Sequence, residues 1–288
     1  MGKVITLLGQ NSQLARCLNQ IIQYPVDILS SKDLDLRDHS NIKNILGNFS
    51  NKILINCFAY NNVEGAETSQ DAFNINHTGV QEIAKFCNEN DILLIHFSTD
   101  FIFDGKKGLY IESDPVNPIN QYGQSKLAGE RAIQRICSRY IIIRTSWLYS
   151  HIETENNFLY KIKSIAMKDN QTFHGAEDIL GSPTSALGLA TRVNNLIKLL
   201  EGYDFSNMLF HLSDTGCVSK FDFLEAIIKH LNQKFNLSNS VKPVSNSYFN
   251  LVAPRPYNTS LNTTLFSELF QLEQFDWDDS LKQTIDLL

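Results

Sequence analysis

Tyr122 and Lys126 stand four residues apart, so a helix running on through Leu127, Ala128 and Glu130 puts phenol and ammonium on one face, about one turn apart. A phenol with an ordinary pKa near 10 is a poor acid–base group at neutral pH, and a nearby ammonium favours the phenolate and lowers that value. Thr99 closes the apolar run Ile92-Leu93-Leu94-Ile95-His96-Phe97. A buried parallel strand there would present its hydroxyl at the carboxyl end, the edge at which open α/β sheets bind ligands. A proton donor, a cation that tunes it and a hydroxyl for the carbonyl oxygen are what reduction of a ketone requires. Thr99, Tyr122 and Lys126 are therefore the candidate catalytic set. Alone, a Tyr and a Lys four apart are more often a packed phenol beside a solvated amine, so the weight falls on the surrounding elements.

Those elements alternate. Lys3 to Leu8 reads as a strand, followed by the turn Gly9-Gln10-Asn11-Ser12 and a helical pattern through Leu18, Ile21 and Ile22. The arrangement is that of a dinucleotide-binding turn, in which backbone N–H groups at a helix start receive a pyrophosphate. Only Gly9 of the three expected glycines is present; Ser12 and Ala15 occupy the other places. Val26 to Leu29 is a second strand, ending in Ser30-Ser31-Lys32. Two hydroxyls and an ammonium suit a ribose 2′-phosphate, where a carboxylate would bind the free ribose, so NADPH is expected ahead of NADH, with NADH as the alternative. Asp38 is placed as the cap of a helix His39 to Leu46. A third strand opens at Ile53 and exits through Tyr60, a helix covers Ser69 to Cys87, a fourth strand ends at Thr99 and a fifth covers Tyr140 to Thr145. The fold class is thus α/β, a Rossmann-like doubly wound parallel sheet. Residues 1–150 form this domain. Residues 151–288 are mainly a smaller substrate-binding domain, with some segments returning to the first. Its pattern is a helix Phe158 to Met167, a polar stretch Thr172 to Asp178, a helix ending at Leu200, the run Phe210 to Ser213 and a helix Phe221 to Leu231.

The chain has 288 residues, 43% of them hydrophobic and 19% charged, with a net charge of −6. That is the composition of an ordinary globular protein and argues against a nucleic-acid partner. No run reaches the roughly 18 apolar residues that span a bilayer, so no membrane partner is expected and the protein is placed in the cytoplasm. The five cysteines are odd in number and form no C-x-x-C pair, which reads as reduced core residues. The histidines show no metal-ligand spacing, so no metal is expected.

The runs Ser98-Thr99-Asp100-Phe101-Ile102-Phe103-Asp104-Gly105, Asn117-Pro118, Tyr122-Gly123-Gln124-Ser125-Lys126-Leu127-Ala128-Gly129-Glu130, Arg144 to Tyr149, Gly181-Ser182-Pro183-Thr184, Leu212-Ser213-Asp214 and Pro254-Arg255-Pro256 resemble the dTDP-4-dehydrorhamnose reductase family of extended short-chain dehydrogenases/reductases. The resemblance covers nearly the whole chain. It implies hydride transfer from NADPH to the C4 ketone of a nucleotide-linked 6-deoxy-4-keto sugar, in dTDP-rhamnose and cell-surface polysaccharide (lipopolysaccharide) biosynthesis. Tyr122 would donate the proton, Lys126 would also hold the nicotinamide ribose, and Thr99 would bond the carbonyl. Asp100 and Trp147 would contact the sugar and Arg255 a nucleotide phosphate. The cofactor would meet Gly9, Ser12, Gln13 and Leu14 at the pyrophosphate turn, Ser30 and Lys32 at the ribose, Asp35 and Leu36 near adenine, and Phe58, Ala59, Tyr60 and Phe97 near the nicotinamide half. Ser12 and the bulky Phe58 depart from the family pattern and put cofactor affinity in question. Members can dimerise through a magnesium site of glutamates, so a homodimer is the expected assembly if any, without ligands that can be placed here. A non-catalytic NADP-binding subunit, like the methionine adenosyltransferase β-subunit that resembles this family, is the alternative reading.

Overall fold

The computed structural model describes residues 4–49, 52–154, 157–200 and 207–288. Six strands form the central sheet: β1 (Ile5–Leu8), β2 (Val26–Leu29), β3 (Ile53–Asn56), β4 (Leu93–Thr99), β5 (Tyr140–Thr145) and β6 (Met208–His211). Their order is β6-β5-β4-β3-β1-β2 and every pair is parallel. Lys3, expected to begin the first strand, lies outside the described residues.

Side chains alternate across the strands, so each face acquires its own core. On one face Leu7, Ile55, Ile95 and Ile143 pack with the helices Gln13–Ile21 and Ala186–Leu199. On the other, Leu8, Leu54, Leu94 and Ile142 pack with the helix Val80–Glu89 and with Ile42 and Leu46. The chain leaves β1 for β2 and returns on the far side of β1 as β3. This reversal opens a crevice at the carboxyl ends of β1 and β3, where such sheets bind ligands.

A third core joins the helices Phe158–Ala166, Lys220–Phe235 and Trp277–Asp286 around Phe223 and Tyr149. The stretch Thr172 to Asp178, read from its polarity as irregular, is a strand over Thr172–Ala176, parallel to Ser240–Val244. Phe173 buries into that core, and its short polar neighbours had hidden the strand.

Two local expectations need correction. The helix placed at His39 begins at Ile42, and Asp38 caps nothing: its carboxylate accepts from Ser40 Oγ at 2.8 Å. The helix expected over Ser69 to Cys87 is interrupted by a π-turn at Asn74–Gly79. That turn aims the buried Asn76 at Tyr60, donating to its carbonyl at 2.9 Å and accepting from its N–H at 2.8 Å. Cys17, Cys87 and Cys137 are buried, Cys57 is half-buried and Cys217 is exposed. Burial pushes the first four thiols above their ordinary pKa.

Candidate active site

The crevice between β1 and β3 holds a cavity of about 770 Å³. Gly9 ends β1 at φ +95°, and a Cβ there would stand 2.9 Å from the Cys57 carbonyl carbon, so only glycine lets the two strand exits come this close. Ser12 makes no such demand. It is the N-cap of the helix Gln13–Ile21 at φ −76°, and its Oγ accepts from Ala15 N–H at 3.1 Å. The hydroxyl proton remains free to donate. The residue that departs from the glycine pattern is thus a favoured cap. Ser12, Gln13, Leu14, Ala59 and Phe97 all line the cavity. A narrow glycine turn against a helix start with an available O–H donor fits a dinucleotide pyrophosphate.

Thr99, Tyr122 and Lys126 meet in the same cavity. Asn120 caps their helix, Gln121–Ile136, accepting from Gly123 N–H at 2.8 Å, while its amide donates to the Pro254 carbonyl at 2.9 Å. The Phe101 ring meets the phenol ring of Tyr122 edge-on at 5.8 Å. Burial pushes Tyr122 up to about 12, against a lowering hydrogen bond with Thr99. The sequence expectation had Lys126 lowering this phenol. Instead the Lys126 ammonium is buried and donates to the Phe97 carbonyl at 2.7 Å. Tyr122 is therefore protonated at neutral pH and available as an acid.

Burial lowers Lys126 to about 8, opposed by Glu130 and Cys57. The fold thus disfavours the charged lysine, and this cost is complete below about pH 8 and fades as pH rises toward the ordinary value of 10.5. Lys126→Met should raise stability at pH 7 by about 1–2 kcal/mol, the burial cost less the lost hydrogen bond, and the gain should vanish above about pH 10.5. Urea unfolding at the two pH values measures this. A Met variant less stable at pH 7 would mean that the bond to Phe97 outweighs the burial.

Asp100 lies beneath the trio, 2% exposed. Its carboxylate accepts from Thr99 Oγ1 at 3.2 Å, from Ser146 Oγ at 2.9 Å and from Thr259 Oγ1. Desolvation raises its pKa and these bonds hold it down. Asp100 therefore ties the end of β4 to two distant loops, although it also borders the cavity. Trp147, at φ 38°, forms a wall shared with a second cavity of about 380 Å³. Gly181 makes this wall fit, because a Cβ there would lie 2.4 Å from the indole.

Other expected contacts point elsewhere. Ser30 Oγ donates to Asp33 Oδ2 at 2.6 Å, so this hydroxyl is spent on a carboxylate three residues on. Lys32 is exposed beside it. Asp35 is bound by Arg37, Nη2 to Oδ2 at 2.7 Å. Leu36 and Phe58 turn into the second core, and the Phe58 ring does not line the cavity. Tyr60 is held by Asn76 through its backbone and does not line the cavity. Arg255 pairs with Glu64 and lines the second cavity. Lys220, Ser146 and Thr259 escaped the sequence reading. Lys220 and Thr259 reach the site from across the fold with no local spacing to mark them, whereas Ser146 directly follows the β5 partner of Thr99. Among the described residues no cluster of three His, Cys, Asp or Glu side chains could hold a metal, and no helix is long and apolar enough to cross a membrane.

The RmlD substrate binding domain family matches residues 3–288. A dTDP-4-dehydrorhamnose reductase of Aggregatibacter actinomycetemcomitans is 30% identical over 287 residues, covering 96% of this chain and 97% of its own length. One from Escherichia coli (strain K12) is 32% identical over 240 residues, covering 82% and 79%. Among solved structures, the dTDP-4-dehydrorhamnose reductase of Bacillus anthracis in complex with NADP gives a TM-score of 0.88 at 28% identity, with all of both chains covered.

Proposed function

This chain belongs to the RmlD substrate binding domain family, and from that premise we propose that it is an NADPH-dependent reductase of the C4 ketone of a dTDP-linked 6-deoxy-4-keto sugar. The substrate we favour is dTDP-4-dehydro-L-rhamnose, giving dTDP-L-rhamnose for cell-surface polysaccharide. The observation that carries the reading is the convergence of Thr99, a protonated Tyr122 and Lys126 on one cavity that also receives the Gly9–Ser12 turn. Bound NADPH supplies the hydride. Tyr122 gives its proton to the oxygen as negative charge grows there, and the Thr99 hydroxyl turns its one proton from Asp100 to the same oxygen. Lys126, whose ammonium donates to the Phe97 carbonyl at the cavity wall, holds the cofactor ribose. Ser12, Gln13 and Leu14 orient the pyrophosphate, and Trp147 offers the sugar a flat apolar face.

The test is titration with NADPH and NADH, followed by dTDP-4-dehydrorhamnose while nicotinamide absorbance is followed. Oxidation supports the reading, and binding without turnover would redirect it to another 4-keto sugar nucleotide. NADPH binding with no oxidation by any 4-keto sugar nucleotide would favour the regulatory-subunit alternative, and absence of binding by either cofactor would overturn both readings. Lys32→Glu should weaken NADPH several-fold through repulsion of the 2′-phosphate, screened because the side chain is exposed. NADH should be nearly unaffected; equal losses would show that Lys32 does not read that phosphate.

A further inference from the structure

Lys220 is the first residue of the helix Lys220–Phe235, whose start is fixed by a capping box. Ser219 Oγ accepts from Asp222 N–H at 3.0 Å, and the Asp222 carboxylate accepts from Ser219 N–H at 3.1 Å. The Lys220 ammonium lies 3.3 Å from the centroid of the Trp147 ring and 6.0 Å from that of Phe158. An aromatic face attracts a cation but accepts little of its hydrogen-bonding capacity. Among the described residues no hydrogen bond or ion pair is made by its Nζ. Asp100 is the carboxylate whose field favours its charge, yet the oxygens of Asp100 are already bonded to Thr99, Ser146 and Thr259. Arg255 adds like charge, and its own guanidinium is committed to Glu64 and the Ala253 carbonyl. Burial outweighs Asp100 and lowers Lys220 to about 7.

A half-buried cation with unspent donors therefore stands on the wall between the two cavities. Beyond it the second cavity is apolar, lined by Phe173, Ala176, Ile179, Leu224, Phe249 and Leu251. The catalytic trio lies on the other side of Trp147. We propose that Lys220 binds the diphosphate of the sugar nucleotide where it passes Trp147, so that the nucleoside base enters the apolar cavity. This rests on the ketoreductase reading for the identity of the ligand. It assigns Lys220 a role in ground-state recognition, with no part in proton transfer.

The experiment is calorimetric titration of the NADP-loaded protein with dTDP and, separately, thymidine. Wild type should bind dTDP, and Lys220→Met should bind it about 10–100-fold more weakly, the loss expected for a charged hydrogen-bond partner. Lys220→Arg should restore most of the affinity. Thymidine and NADPH should bind wild type and variants alike, and the sugar-nucleotide KM should rise with kcat nearly unchanged. Equal dTDP affinity in wild type and in a Lys220→Met variant that retains NADPH overturns the assignment. Should that variant fail to fold, wild type decides alone: dTDP affinity must fall from low to high salt while thymidine affinity does not, and salt-independent dTDP binding overturns the assignment. Wild type that binds dTDP through Lys220 but oxidises NADPH with no 4-keto sugar nucleotide would remove the ketoreductase reading and leave the diphosphate site standing.

Discussion

Tyr122→Phe is expected to lower turnover by about 10²–10⁴-fold, the range contributed by one positioned proton donor, while NADPH affinity stays within about twofold. The ring remains, so its edge-on contact with Phe101 and the packing of the helix Gln121–Ile136 remain. What goes is the single O–H that burial keeps protonated to about pH 12. Lys126 should not move, because its ammonium is held by the Phe97 carbonyl and not by the phenol. Stopped-flow reduction with saturating NADPH separates the two quantities. Loss of cofactor binding in this variant would contradict a role confined to proton donation. Turnover reduced less than tenfold would point to Thr99 or water as the donor.

The largest loss of stability is expected from Asp214→Ala. Arg192 and Asp214 form an ion pair with side chains 3% and 0% exposed. The guanidinium also donates to the Ser213 carbonyl at 2.8 Å, and the carboxylate accepts from Ser185 N–H at 2.8 Å, at the start of the helix Ala186–Leu199. Burial raises the pKa of Asp214 and lowers that of Arg192, each opposed by the other partner. The pair thus largely offsets its own desolvation, but breaking it strands a buried charge, at a cost of about 3–5 kcal/mol. The same helix packs in the core that also holds Leu14 and Leu18 of the cofactor helix, so NADPH affinity should fall along with the urea midpoint. A loss below about 1 kcal/mol would mean that water reaches the guanidinium.

The parts of the site legible in the sequence are those set by short-range geometry. Tyr122 and Lys126 follow from a four-residue spacing on one helix, Thr99 from the end of an apolar strand, and Gly9 from a strand-to-helix turn. The strand order required long-range pairing, but the alternation of apolar runs and helical periods had already restricted it to a parallel sheet. What remained hidden depends on partners far along the chain. Asp100 is satisfied by Thr259, 159 residues away, and the electrostatics at Trp147 depend on Lys220. Phe58 illustrates a different limit. Cys57 and Ala59 face the cavity while Phe58 between them joins the core of Leu54, so the alternation of β3 runs on past its last paired residue, and the comparison with the family pattern had overlooked it. The claim of Asp33 on Ser30 was within local reach, since a carboxylate three residues on is a common turn partner, but reading hydroxyls as phosphate ligands overlooked it.

The distribution of thiols gives this chain a built-in attachment point. An exposed thiolate is the nucleophile that attacks cysteine reagents, and four of the five sulfurs are kept protonated by burial while Cys217 is open to solvent. A maleimide fluorophore added to the native protein therefore couples at one position without engineered substitutions. That position adjoins Val218, which pairs with Gly181, the residue beneath the Trp147 indole. A dye there sits one strand pair from the wall between the two cavities, where its emission can follow ligand entry in real time.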